Sequence, residues 1–189
     1  MSSERKSEYN VNKLILNRTS PRAMNGETIE NNDLFAILEA GRYAPSAYNY
    51  QPWKFLYAKR ETKEWDLFFE SLVDFNKSWV KNASVIILVI ADKMFNDKEE
   101  IINIFDSGAA MQNMALQAKD LGLVGHAMSG FDYKKIRENL EIPENYHVLA
   151  MLAIGNKGKI EDLPVELQDK EIVSSRKELS EIVIEGKFK

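Results

Sequence analysis

The sequence predicts an α+β domain: a central sheet of about four or five strands, covered by helices, with an extended C-terminal arm. Three observations predict it. The stretches Val85–Ala91 (VIILVIA) and Val148–Gly155 (VLAMLAIG) are apolar on both faces, as buried central strands are. Other segments carry apolar residues at helical spacing, most clearly Trp65, Phe68, Phe69, Leu72 and Val73. The 189 residues, 44% hydrophobic and 29% charged, match one ordinary globular domain spanning residues 1–189.

Each element has a local reason. Residues 1–8 are polar and read as a frayed tail. A short helix is expected from Tyr9 to Arg18, with Val11, Leu14 and Ile15 on one face, broken by Thr19-Ser20-Pro21. A second helix starts near Asn32 or Asp33, both good N-caps, and runs through LFAILEAGR. From Ala44 to Gln51 there is no period, and Pro45 and Pro52 bracket a polar loop. Trp53, Phe55 and Tyr57 alternate with Lys54 and Leu56, a strand pattern. A helix follows over Trp65–Val73, then the VIILVIA strand. Asp97 and Glu100 resemble a capping box for a long helix ending near Leu121, with Gly122 as its stop. A short strand is expected over Leu123–Met128, a helix after Asp132, and the second buried strand up to Gly155. Residues 156–189 read as an arm with a short helix behind Ser175-x-x-Glu178.

Composition excludes several kinds of chemistry. With no cysteine and only His126 and His147, zinc fingers, thiol nucleophiles and iron–sulfur clusters lack their ligands, and no metal site is expected. Net charge is −4 but unevenly placed. Residues 1–26 carry five Lys/Arg against two Asp/Glu, residues 170–189 five against four, and the stretch between fifteen against twenty-three. An acidic body argues against a nucleic-acid footprint, and the basic ends leave room for one small anion. The longest apolar run has seven residues, too short to span a bilayer. MSSERKSEYN has no apolar core of a secretory signal, so a cytoplasmic protein with no membrane partner is expected. The glycine patterns of a Rossmann site, a P-loop and a hydrolase elbow are all missing.

Two stretches point to a ligand. RYAPSAYNYQPW (Arg42–Trp53) packs Ser46, Asn49 and Gln51 between two prolines. Asn and Gln each offer donor and acceptor, so the loop suits the edge of a planar heterocycle. It suits a hydrogen-bonded structural loop equally well. Arg18-Thr19-Ser20-Pro21-Arg22 sets two guanidiniums and a hydroxyl within five residues, which suits a phosphate monoester as well as a solvated turn. Ser174-Ser175-Arg176 lies at the far end of the chain.

In this order the motifs resemble the nitroreductase family of flavin mononucleotide (FMN) oxidoreductases. The resemblance rests on Arg18, Ser20 and Arg22, and on A-P-S-x-x-N-x-Q-P-W over Ala44–Trp53. It also rests on Phe75-Asn76, Leu121-Gly122-Leu123, Gly130-Phe131-Asp132, the strand ending in Gly155, and Arg176. It implies a mixed, mainly antiparallel sheet flanked by helices, in a homodimer that exchanges the C-terminal arm. It implies that Arg18, Ser20, Arg22 and Arg176 hold the FMN phosphate. Pro45, Ser46, Asn49 and Gln51 would line the ribityl and isoalloxazine, in part across the dimer. Asn76 would bond the pyrimidine edge. Ala127, Met128, Ser129 and Gly130 would cover one ring face, with a backbone N–H of Ser129 or Gly130 aimed at N5. Tyr48, Tyr50 and Phe131 would edge the substrate pocket. The implied reaction takes hydride from NAD(P)H and passes electrons to a nitro compound, quinone or similar small molecule by a ping-pong route. No protein acid, base or nucleophile is needed, since the flavin supplies the electron chemistry. Three departures from the family pattern stand out: the position matching Ser129 is glutamate in some members, Ser174 occupies a place where others carry a lysine, and the Asp92–Asp106 segment is short, which implies a minimal lid. A flavin-binding or regulatory module without turnover is the alternative reading.

Overall fold

The computed structural model describes residues 5–188. Helix α1 spans Lys13–Asn17, where Asn12 caps the start by accepting from the Leu14 amide at 2.8 Å. It is shorter than the expected Tyr9–Arg18 helix because Tyr9 and Val11 close a separate turn before it. Of the tail, residues 1–4 lie outside the described residues, but Arg5 is not frayed: it bonds Arg18 and Ser174. The chain then runs extended through Met24, which bridges to Lys157, and enters α2 (Asn31–Arg42) with Glu30 at the N-cap position. A 3-10 turn at Ala47–Asn49 leads into β1 (Trp53–Lys59).

The single helix expected over Trp65–Val73 is instead two, α3 (Lys63–Phe69) and α4 (Asp74–Val80). Helical spacing persists in the sequence, yet tertiary pairing wins between them. Leu72 bridges to Phe131, the Val73 amide donates to the Gly130 carbonyl (3.1 Å), and the Asp132 amide donates to Ser71 (2.7 Å). Strand β2 (Val85–Asp92) follows, and then a hairpin of β3 (Met94–Phe95) and β4 (Lys98–Glu99). Asn96 and Asp97 turn this hairpin with positive φ, so Asp97 is a turn residue and not a helix cap. The long helix α5 (Ile102–Asp120) begins later, with Glu100 accepting from the Ile102 amide. Gly122, at φ +78°, stops it as expected.

Strand β5 (Val124–Met128), helix α6 (Tyr133–Asn139) capped by Asp132, and strand β6 (Tyr146–Gly155) complete the body. The arm carries α7 (Val165–Gln168) and α8 (Leu179–Ile182). The capping box of α8 uses Glu178 and Glu181, three residues later than the expected Ser175–Glu178 pair.

The four long strands form one sheet in the order β1-β2-β6-β5, and every pair among them is antiparallel. Strand β2 is central and buried on both faces, which is why its sequence shows no alternation. Ile86, Leu88 and Ile90 pack with Trp65, Phe68, Trp79 and Ile136. Val85, Ile87 and Val89 pack with Leu34 and Ile37 of α2 and Met114 and Ala118 of α5. Each Val, Leu, Ile, Phe or Met among them contributes about 1.5–3 kcal/mol on burial. Gly41 permits the close approach of α2 to this layer, since a Cβ there would stand 2.9 Å from Met114 and 3.0 Å from Phe55.

Candidate functional site

The residues singled out in the sequence gather in three places. The first is a cluster of cations at the C-terminal end of α1. Arg18 Nη1 donates to the Thr19 carbonyl (2.8 Å) and to Ser20 Oγ (3.0 Å). Arg176 Nη1, from the arm, donates to Ser174 Oγ (3.0 Å) and the Ser175 carbonyl (2.9 Å). Arg5 reaches both, with Nη1 on the Arg18 carbonyl (2.8 Å) and Nη2 on Ser174 Oγ (3.1 Å). Burial, and then the charges of Arg5 and Arg176, push the Arg18 guanidinium below its usual pKa. Among the described residues none of these three arginines lies within salt-bridge reach of a carboxylate. Like charges held together without a counter-charge are costly, so the site is complementary to a small anion.

Arg22 belongs to the second group. The segment carrying it is seated by the Gly158 amide, which donates to the Ala23 carbonyl (2.9 Å), and by the Met24–Lys157 bridge. Glu171 of the arm accepts from the amides of Arg22 (2.6 Å) and Ala23 (2.9 Å) and faces the Arg22 guanidinium at 4.0 Å. That guanidinium also lies over the Phe75 ring, 5.9 Å from its centroid. Its Nε is buried without a protein partner. Beside it, His126 Nδ1–H donates to the Pro21 carbonyl (3.2 Å), and the ring packs on Trp79 at 4.7 Å. Burial, with the Arg22 charge second, lowers the pKa of His126.

Trp79 Nε1 donates to Asn76 Oδ1 (3.3 Å), and Asn76 Nδ2 donates to the Gly130 carbonyl (2.9 Å). Asn76 is only 6% exposed. Its acceptor and one donor hydrogen are therefore engaged inside the protein, where they fix the loop after β5. Gly130 is required at its place, because a Cβ there would stand 2.7 Å from Asn76 Nδ2. In that loop Met128 is buried, while Ala127 and Ser129 are exposed. Among the described residues, neither the Ser129 nor the Gly130 amide donates to a turn or cap acceptor. Phe131 is 5% exposed, bridged to Leu72 and stacked on Tyr133 at 4.3 Å. The same backbone bridge that splits the expected helix draws it into the core.

The third group is the Pro45–Gln51 loop. Ser46 Oγ accepts from the Gln51 amide (3.0 Å), and Gln51 Nε2 donates to the Asn49 carbonyl (3.0 Å). Tyr48, Asn49 and Gln51 all hold positive φ. Non-glycine residues there carry strain, which neighbouring structure must offset. Part of the offset comes from Asp106 of α5, 5% exposed, whose Oδ2 accepts from the Ala47 amide at 2.9 Å. Tyr48, 89% exposed, stacks on Phe95 of the hairpin at 5.5 Å, and Tyr50 meets the same ring edge-on at 4.8 Å. Pro45 is exposed and makes no side-chain hydrogen bond. No hydrogen bond among the described residues joins this loop to the arginine cluster. Among the described residues there is also no group of three side chains able to hold a metal ion.

The nitroreductase family model matches residues 15–156. The chain belongs to the nitroreductase family. Within that family it is 32% identical over 148 residues to an Archaeoglobus fulgidus protein named as an NADH dehydrogenase/NAD(P)H nitroreductase, covering 76% of this chain and 83% of the relative. A crystal structure described as an oxidoreductase containing FMN superposes with a TM-score of 0.94 at 40% identity, over 98% of this chain and 96% of that one. A Desulfovibrio desulfuricans protein, described as a nitroreductase in complex with FMN, superposes at 0.78 with 28% identity, over 97% of this chain and 100% of that one.

Four residues in this nitroreductase-family chain had no sequence motif: Arg5, Phe95, Asp106 and Glu171. Only Asp106 left a signal. With Asn103, Ser107 and Ala110 it falls on the buried stripe of α5, where a carboxylate is out of place without a bonded partner.

Proposed function

We propose that this protein is an FMN-dependent oxidoreductase that takes reducing equivalents from NAD(P)H and passes them to a nitro compound, quinone or similar acceptor. One observation carries the reading. In a member of this family, guanidiniums from both ends of the chain converge on one spot with no carboxylate in salt-bridge reach among the described residues, as a phosphate dianion requires. The buried, unpartnered Nε of Arg22 is a second sign of fit, since such a donor needs an acceptor from outside the protein. The FMN-containing relatives give the anion its identity.

In this reading Arg18, Ser20 and Arg176 hold the phosphate. Arg22, kept in place by Glu171, adds positive potential beside the ring. Asn76 acts by fixing Gly130, and with it the loop whose Ser129 and Gly130 amides serve as donors. Ala127 and Met128 form the floor of that loop. Ser46, Asn49 and Gln51 present a preset polar loop, with Pro45 at its rim. Tyr48 and Tyr50 form, with Phe95, an aromatic edge suited to a planar acceptor. When bound, FMN supplies the two-electron chemistry, so the chain needs no acid, base or nucleophile of its own. Donor and acceptor use one exposed face in turn, a ping-pong route.

We also propose that a second copy completes the site. Phe105 is 74% exposed on α5, Ile101 is exposed just before that helix, Phe35 on α2, and Ile182 and Phe188 on the arm. Apolar surface of this kind marks a protein interface, and exchange of the end of the arm, beyond Arg176, between copies covers it. The Pro45–Gln51 loop then reaches the partner's cofactor. The test is anaerobic. NADH or NADPH should bleach the visible flavin absorbance of the purified protein, and a quinone or nitroaromatic should restore it. Flavin retained but bleached by neither nicotinamide leaves only a binding module, and a colourless protein with no affinity for FMN refutes the reading.

A further inference from the structure

We propose that Arg5 is a component of the anion site: it joins the two halves of the cradle and supplies its third positive charge. The inference rests on the FMN reading above and extends it to the N-terminal segment, which no motif includes.

The geometry is that of a strap. Arg18 arrives from the end of α1 and Arg176 from the arm, more than 150 residues later, and no hydrogen bond links their side chains directly. Arg5 spans them. Its Nη1 donates to the Arg18 carbonyl at 2.8 Å, its Nε to the Ser174 carbonyl at 3.2 Å, and its Nη2 to Ser174 Oγ at 3.1 Å. The planar fork of a guanidinium can make such divergent bonds at once, which an ammonium does less well. Arg18 and Arg176, by contrast, each engage only Nη1 with protein acceptors among the described residues, so Nε and Nη2 stay available.

The hydroxyl of Ser174 gains a role from this. Its oxygen accepts from Arg5 and from Arg176, which occupies both lone pairs. Its own hydrogen is then left to donate, and an anion between the arginines is the natural acceptor. The charge pattern agrees: burial first, and the nearby Arg176 charge second, lower the Arg5 pKa. A dianion relieves that repulsion. The competing role for Arg5 is purely local, as a cap for the carbonyls that end α1.

Flavin-stripped full-length protein separates the two roles. Affinities for FMN and riboflavin, which differ by the phosphate, are measured by fluorescence titration for wild type, Arg5→Gln and Arg5→Lys. The proposal expects the FMN-to-riboflavin affinity ratio to fall about tenfold in Arg5→Gln, and about threefold in Arg5→Lys, where charge survives but the fork does not. Riboflavin affinity stays within about twofold. Added salt should also weaken FMN binding less in Arg5→Gln than in wild type. A ratio that remains at the wild-type value in whichever variants fold overturns the proposal and leaves Arg5 a helix cap. Wild-type protein without measurable affinity for FMN brings down the underlying reading instead, a separate outcome.

Discussion

Replacing Asp106 by alanine probes how a buried carboxylate holds a strained loop. Asp106 Oδ2 accepts one bond, from the Ala47 amide at 2.9 Å. A hydrogen bond to a charged group contributes about 1.5–3 kcal/mol. Ala47 is half-buried, so water can partly replace the lost acceptor and the lower part of that range applies. For a chain of this size each kcal/mol moves the midpoint by about 2–4 °C, so Asp106→Ala should melt about 3–8 °C below wild type. Asp106→Asn keeps an acceptor and removes the charge, and should melt closer to wild type. Local release matters more for function. Without this bond the positive φ of Tyr48, Asn49 and Gln51 is less well supported, and the Ala47 amide should exchange with deuterium much faster than in wild type. Melting curves and hydrogen exchange read the two effects. A midpoint within about 1 °C of wild type, together with unchanged protection at Ala47, would refute the claim that Asp106 braces the loop.

Three further outcomes are expected. Gly130→Ala pushes a Cβ to 2.7 Å from Asn76 Nδ2, so it should cost about 1–3 kcal/mol and shift the spectrum of bound flavin; a normal melt and spectrum would separate Asn76 from the loop. His126 has a folded pKa below its unfolded value of about 6.5, so the unfolded chain binds more protons at acid pH. Its contribution is complete above about pH 6.5 and is lost as pH falls below that, so wild type should lose stability more steeply than His126→Gln between about pH 7 and 5.5; parallel curves would count against it. Gly158→Ala places a Cβ 2.7 Å from the Met24 carbonyl carbon, a backbone atom that cannot swing away. It should destabilise the protein by about 1–3 kcal/mol and weaken FMN retention by moving Arg22, and unaltered retention in folded variant would detach that segment from the site.

What the sequence determined by itself was whatever depends on local pattern. Strands β2 and β6 were legible because seven or eight apolar residues in a row have no other stable place than the middle of a covered sheet. Helix α2 was legible from the capping residue types near its start and α5 from Glu100 at its start and Gly122 at its end, the latter through its tolerance of positive φ. The basic and amide-rich motifs around Arg18 and Asn49 were legible as residue types suited to a phosphate and a heterocycle. Tertiary structure decided the rest, because it turned on contacts between segments distant in the chain. The break between α3 and α4 exists for a bridge from Leu72 to Phe131, which also seats Phe131 in the core. Asn76 sits where its amide holds Gly130, a bond across 54 positions. Arg5 and Glu171 join the site from opposite ends of the chain. No window of sequence registers such pairings, since each residue alone looks like an ordinary surface charge, and only the fold brings their opposite or like charges within range of one another.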